Sequence, residues 1–250
     1  MLEPAALRAR LDSVRERIAD AARRVGRDPA AIRLVAISKT FPIEYIRAAA
    51  SVGQDDFGEN KVQEALRKIE GAPDLPVIWH FIGHLQSNKA RKAARRYDVI
   101  HSIDSADLVL RLDAAAAEAN RTIKLLIQVD LAGEATKHGT PEEAVPAILS
   151  AASACASARI VGLMLLPPVV DEPEAARPYF KALIALRDRL LAGGAHPSTL
   201  GELSMGMSHD FEVAVEEGAT MVRVGSAIFG ARPDRLLPIA DPPDKGAGEH

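Results

Sequence analysis

Thiol chemistry is nearly absent: among 250 residues there is one cysteine, Cys155. No disulfide can form within the chain, so a reducing compartment fits. Cys155 falls in an Ala/Ser-rich stretch, 150–158, that reads as a helix. No electropositive partner adjoins it there, so it reads as a buried, inert thiol. Long apolar runs are missing too; none approaches the roughly 20 residues of a membrane span. The N-terminus carries Glu3, Arg8, Arg10 and Asp12 and so lacks the apolar core of a signal peptide. The expected location is therefore cytoplasmic. Excess positive charge is also lacking, since the net charge is -3, which removes the electrostatic case for nucleic-acid binding. Basic pairs such as Arg91-Lys92 and Arg95-Arg96 then read as solvated helix faces. No Gly-rich turn follows the first strand-like run, where a dinucleotide-binding sheet needs one.

What is present is an ordinary globular composition, 48% apolar and 26% charged, at a length close to one (β/α)8 barrel. Leu7, Leu11, Val14, Ile18 and Val25 form one face of an amphipathic N-terminal helix ended by Gly26. Strand patterns follow near 33–38, 56–58, 77–82, 99–103, 123–129, 160–165, 200–204 and 221–225. Helical patterns lie between them, near 43–51, 61–70, 87–96, 106–119, 141–156, 173–192 and 209–217, with a final turn near 226–232. Leu34-Val35-Ala36-Ile37 and Leu125-Leu126-Ile127 have the continuous apolar character of strands buried on both faces. Eight such strands alternating with helices predict a single α/β barrel of the TIM type with an extra N-terminal helix. An open doubly wound sheet is the structural alternative. The barrel domain is expected over residues 1–240, with a disordered Pro/Gly/charge-rich tail over 241–250.

Barrel sites lie at the C-terminal ends of the strands. Lys39 directly follows the first strand and points into the barrel mouth, where apolar walls favour the uncharged amine that Schiff-base chemistry uses; from position alone it reads equally as a lysine that snorkels to the rim. Lys124 is the contrast, at the start of strand five and so on the opposite face. The stretch 221-MVRVGSAIFGAR-232 runs a strand into Gly225-Ser226 and a short helical turn, the place where barrels often hold phosphate. At the end of strand seven, 204-SMGMS-208 adds two hydroxyls, although Ser208 also fits a helix cap. A closed barrel puts strand one beside strand eight. An amine next to a phosphate cradle fits an aldehyde bearing a phosphate ester, which describes pyridoxal 5'-phosphate (PLP) and phosphosugar substrates of aldolases alike. Arg223 shares the side of Gly225 and can donate to a pyridine nitrogen without protonating it.

Other polar positions stay open. Asn60 reads equally as a ligand contact or as a cap for the helix after it. His80 and His84 lack a carboxylate or thiol to complete a metal set, so no metal is expected. His101 reads as a satisfied core histidine. Asp130, Met164 and Leu165 stand at mouth-facing strand ends, with packing the better role for Met164.

The stretches LVAISKTFP (34–42), FGENKVQEA (57–65), WHFIGHLQSNKAR (79–91), HSIDS (101–105), GLMLLPP (162–168) and LSMGMSHDFEVAVEEGATMVRVGSAIFGAR (203–232) occur in order. Together they resemble the pyridoxal phosphate homeostasis protein family, the YggS/PROSC group, across about residues 30–232. The resemblance implies the barrel of bacterial alanine racemase, a bound PLP, no well-established catalytic activity, and an effect on vitamin B6 pools and amino-acid balance. It makes Lys39 the Schiff-base lysine, Arg223 the partner of the pyridine nitrogen, and Ser204, Gly225 and Ser226 the phosphate contacts. Asn60 becomes a residue lining the ring. Lys61, His209, Leu165-Leu166 and Ser226 depart from the commoner family residues; the last keeps its hydroxyl.

The expected function is a PLP carrier or buffer, with PLP-dependent apo-enzymes as recipients. The alternative is an amino-acid racemase. Two-base racemisation needs an acceptor on each face of the substrate, and alanine racemases take the second, a Tyr, from a separate domain and a partner subunit. This chain ends about where the barrel ends, and Tyr45, Tyr97 and Tyr179 lie outside the motifs, so the carrier is preferred. An aldolase without PLP is disfavoured by Arg223 beside the cradle.

Overall fold

A computed structural model describes residues 3–133 and 138–230. Eight parallel strands close into a barrel in sequence order, β1 (Arg33–Ile37), β2 (Asp56–Glu59), β3 (Ile78–Phe81), β4 (Val99–Ile103), β5 (Ile123–Val129), β6 (Ala158–Leu165), β7 (Glu202–Met207) and β8 (Met221–Val224). Closure is through β1 and β8, with Ala36 opposite Val224, which excludes the open sheet. The helices are α1 (Pro4–Arg24), α2 (Ile43–Ala50), α3 (Val62–Glu70), α4 (Ala90–Ala94), α5 (Ala106–Glu118), α6 (Val145–Ala152), α7 (Arg177–Ala192), α8 (Phe211–Glu216) and α9 (Ser226–Phe229). Among the described residues no helix is long and apolar enough to cross a membrane.

The N-terminal helix forms as its apolar spacing predicts, except that Val25 lies past its last residue and is exposed. Leu7, Leu11, Val14 and Ile18 are buried on the side that meets α8, α9 and α2. Burying each such side chain contributes about 1.5–3 kcal/mol. Past Val25, Gly26 takes a φ of 69°. Its N–H donates to the Arg23 carbonyl while that of Arg27 donates to Ala22. That pattern closes the helix with a left-handed residue, at no Cβ cost because it is glycine.

Strand alternation sorts the side chains. On β1, Leu34 and Ala36 join the large core under the helices, whereas Ile37 and, two residues on, Lys39 reach the cavity at the mouth. The barrel interior holds a small apolar cluster, Val99, Leu126 and Met164, and beside it buried polar residues, among them His80, His101, Ser204 and Arg223. Barrel interiors are usually filled by branched aliphatics, so these polar residues need partners and find them.

Several boundaries differ from expectation. Strand β7 runs to Met207 rather than 204, through Gly206 at a φ of 89° and a register shift against β8. The polar and glycine-rich SMGMS run is therefore mostly strand, not loop. Helices expected over 87–96 and 141–156 begin as 3-10 turns at Ser87–Lys89 and Glu142–Ala144 and end early, at Ala94 and Ala152. Consequently Cys155 lies in the turn before β6, not in a helix. It is half-buried, and burial pushes its thiol pKa up. The expected tail, 241–250, and the end of the final turn, 231–232, lie outside the described residues.

Candidate ligand site at the barrel mouth

A cavity of about 540 Å³ opens at the C-terminal ends of the strands, the size range of small-molecule sites. It brings together Lys39, Asn60, Arg223, Gly225 and Ser226. Ser204 is not among the lining residues. The extension of β7 draws it into the barrel interior, where it is fully buried and accepts from Arg223 Nη1 at 2.6 Å. Ser208, which reads from sequence as a helix cap, takes its place at the mouth. Asp210 is the N-cap position of α8, while Ser208 lines the cavity and its hydroxyl accepts from the Gly225 N–H at 3.1 Å.

Lys39 sits just past β1, between two residues that are held on both sides. Ser38 donates its N–H to the Gly58 carbonyl at 3.0 Å and its hydroxyl to Glu59 Oε1 at 2.6 Å. Lys68 Nζ donates to the Ser38 carbonyl, to Glu59 Oε1 and to Glu64 Oε1 at 3.0, 2.7 and 2.9 Å. Glu64 Oε1 also accepts the Thr40 N–H at 2.7 Å. Thr40 has a φ of 70°, strained for a β-branched residue and held by that bond. Burial pushes the Glu59 carboxyl pKa up against the opposing pull of Lys68. Glu59, Glu64 and Lys68 were missed as site residues by sequence reasoning. The available signal was the Glu64/Lys68 spacing of four on one helix.

On the other side of the mouth, β8 delivers Arg223 and then Gly225. A Cβ at Gly225 would meet the Ile37 Cβ and carbonyl oxygen at 3.3 Å, so the turn packs tightly against the end of β1. Lys39 lies three residues beyond Ala36, whose register partner is Val224, and Gly225 and Ser226 follow Val224 directly. The amine and the Gly-Ser turn are thus neighbours. Arg223 is buried and donates from Nη2 to the Leu165 carbonyl at 2.9 Å. Burial lowers its pKa to about 10, and Asp210 opposes that fall. The guanidinium therefore stays charged at neutral pH.

Asn60 is not the cap of α3, a position held by Lys61 without a side-chain bond. Lys61 is exposed and does not line the cavity. Asn60 reaches the mouth because Gly83 gives way to it: a Cβ at Gly83 would lie 2.1 Å from the Asn60 carbonyl oxygen. His209 lines the cavity and its Nε2 donates to the Asp171 carbonyl at 2.9 Å. His84 also lines it, its ring stacked on His138 at 3.7 Å. Asp130 is not a lining residue; Oδ1 accepts from Ala132 and Gly133. His101 is the satisfied interior histidine that the sequence predicts, and Met164 packs in the interior cluster. Lys124 lies at the opposite face, as its place at the start of β5 requires.

Residues 9–233 match the sequence profile of the family described as alanine racemase, N-terminal domain. The chain is 43% identical over 223 residues to the pyridoxal phosphate homeostasis protein of Aquifex aeolicus, covering 89% of this chain and 97% of that protein. This chain belongs to the pyridoxal phosphate homeostasis protein family. The Escherichia coli member is 40% identical over 229 residues, 89% of this chain and 95% of its own. These relatives are named for homeostasis of the cofactor rather than for a reaction. Among solved structures, PipY of Synechococcus elongatus with PLP bound matches at 40% identity and a TM-score of 0.79, covering 90% of this chain and all of that one. Alanine racemase of Clostridium difficile matches at 14% identity and a TM-score of 0.70, over 92% of this chain and 57% of that one. That likeness is one of fold alone.

Proposed function

We propose that this chain binds PLP at the barrel mouth as a Schiff base on Lys39, and that it carries or buffers the cofactor inside the cell rather than turning over a substrate. One observation carries the reading: a lysine amine and a glycine turn from adjacent strands open into one cavity, with a buried cationic arginine between the turn and the barrel interior. The donor set fits the cofactor. Lys39 supplies the amine for the aldehyde carbon. Ser208 and Ser226 supply hydroxyls for the phosphate, and Gly225, whose own N–H is held by Ser208, lets it approach the N–H groups at the helix start that have no intrahelical acceptor. Asn60 lines the ring. Arg223 faces the ring nitrogen as a donor that keeps its own protons. PLP, when bound, supplies an electron sink, and a guanidinium partner leaves that sink weak where an acid would strengthen it. The binding of PLP by PipY, which matches this chain over its whole length, supports the assignment.

The purified chain incubated with PLP is expected to turn yellow. Borohydride is expected to abolish the visible band and leave the label on the peptide containing Lys39. The loaded protein is expected to transfer PLP to a PLP-dependent apo-enzyme. A protein that stays colourless in excess PLP, or a label on another lysine with Lys39 unmodified, refutes the reading. Sustained turnover of a free amino acid above a Lys39→Ala control would instead favour a racemase.

A further inference from the structure

Five polar side chains from five strands meet inside the barrel beneath the cavity. Arg223 Nη1 donates to Ser204 Oγ at 2.6 Å. Ser204 Oγ lies 2.8 Å from His101 Nδ1, His101 Nε2 lies 2.8 Å from His80 Nδ1, and His80 Nε2 lies 2.8 Å from Asp56 Oδ1. Both imidazoles and Ser204 are fully buried. Asp56 stands at the first residue of β2, at the base of the barrel, and Arg33 Nη1 lies 3.7 Å from the same carboxylate oxygen.

The donors and acceptors settle which way these bonds run. A guanidinium only donates, so Ser204 Oγ accepts from Arg223. The serine's own proton then needs an acceptor, and His101 Nδ1 is the one the structure gives it. His101 therefore carries its proton on Nε2 and donates to His80 Nδ1. His80 in turn carries its proton on Nε2 and donates to Asp56. The reverse direction needs a protonated Asp56 and leaves the Ser204 hydroxyl pointing at a cation. An extra proton on either imidazole has the same fault, because it forces His101 Nδ1–H toward Ser204 or breaks the pair. Burial first, then His80, and then the cations Arg223 and Arg33 also disfavour a charged His101; burial disfavours a charged His80 despite the pull of Asp56.

We propose that Asp56, His80, His101 and Ser204 are positioning residues, an oriented relay of neutral groups that runs from a carboxylate at the barrel base and aims the Arg223 guanidinium at the ring nitrogen of PLP. The proposal rests on the PLP reading above. A chain of bonds that all point one way polarises each member in the same sense. Here that sense places partial negative charge on Ser204 Oγ, against the cation, and ends on a carboxylate. The carbonyl of Leu165 fixes a second edge of the guanidinium. Its remaining N–H groups are left to face the cavity that Arg223 lines.

Two measurements test the relay. In the first, the wild-type chain labelled with 15N-histidine is examined by NMR at pH 7. His80 and His101 are expected as neutral imidazoles with the proton on Nε2. An imidazolium, or an Nδ1–H tautomer at either residue, overturns the proposal. In the second, PLP affinity and the position of the visible band are compared among folded variants. Ser204→Ala is expected to weaken PLP binding about tenfold, the worth of one hydrogen bond to a charged group, and to shift the band. Ser204→Thr, which keeps the hydroxyl, is expected to restore the wild-type band and most of the affinity. A Ser204→Ala protein with unchanged affinity and band overturns the relay. Where that variant does not fold, the tautomers of the wild type still decide. A wild type that never binds PLP would refute the proposed function itself, whereas a yellow wild type with the wrong tautomers refutes only the relay.

Discussion

The interior imidazoles give the fold an acid sensitivity that can be worked out before measurement. Burial holds the pKa values of His80 and His101 below the ordinary 6.5. In the unfolded chain both titrate near 6.5. The sign follows from linkage. Below 6.5 the unfolded state binds protons that the folded state refuses, so stability is full above pH 6.5 and falls as the pH drops toward the folded values. Each imidazole that stays neutral to pH 5.5 removes about 1.4 kcal/mol between pH 8 and pH 5.5, so the pair removes about 2.8 kcal/mol. Burial of Glu59 and Asp210 raises their carboxyl pKa values. That works in the opposite sense, since the folded state then gains protons first as the pH falls. A comparison between variants isolates the histidines. Urea unfolding of the PLP-free protein at pH 8, 7, 6.5 and 5.5 is the assay. His101→Gln is expected to start less stable at pH 8 and to lose about 1.4 kcal/mol less on acidification than wild type. A wild type and variant with the same pH dependence would refute the account, because the buried ring would then not be refusing a proton.

Other changes have equally direct outcomes. Lys68→Ala strands the fully buried Glu59 carboxylate, so a loss of about 3–5 kcal/mol is expected in urea unfolding; a loss below about 1 kcal/mol would mean that Glu59 is neutral in the fold. Gly225→Ala puts a methyl 3.3 Å from the Ile37 carbonyl, so PLP is expected to bind at least about tenfold more weakly by titration; unchanged affinity would remove that turn from the site. Tyr97 is fully buried and its hydroxyl has no partner among the described residues. Tyr97→Phe is therefore expected to raise stability or leave it within about 0.5 kcal/mol of wild type, since a lone buried hydroxyl gains nothing from its polarity; a large loss would reveal a hidden partner.

The barrel was legible because its signal is repetitive. Apolar runs such as Leu125-Leu126-Ile127 recur between helices, and each falls on a strand. Lys39, Arg223, Gly225 and Ser226 were legible because a strand end and a two-residue parity place them without any distant contact. Ser204 was not. The run Ser-Met-Gly-Met-Ser reads as starting where strand seven ends, yet β7 passes on through it to Met207 with Gly206 at positive φ. Three further strand residues move Ser204 from the mouth into the barrel and hand its expected place to Ser208. Counting back by twos from Asn60 reaches Gly58 and Asp56, so the parity of Asp56 was available. Its contact with His80 was not, because only closure of the barrel brings those side chains together. The same holds for His101 and Ser204, which are 103 residues apart.

The two supports under the cavity differ in kind, and the difference follows from what each one holds. The loop carrying Lys39 is tied by charges: Glu59 and Glu64 share Lys68, and their oxygens grip Ser38 and Thr40 on either side. Net negative charge there is compatible with a nearby amine. Arg223 is already a buried cation, so a protonated imidazole within one serine of it would repel it at close range in a medium of low dielectric. Neutral groups can still orient it, provided that each donates onward and the last reaches a carboxylate. Asp56 meets that condition from the base of the barrel, where its largely buried carboxylate has Arg33 3.7 Å away, so the negative end of the relay is kept away from the mouth where a phosphate would sit.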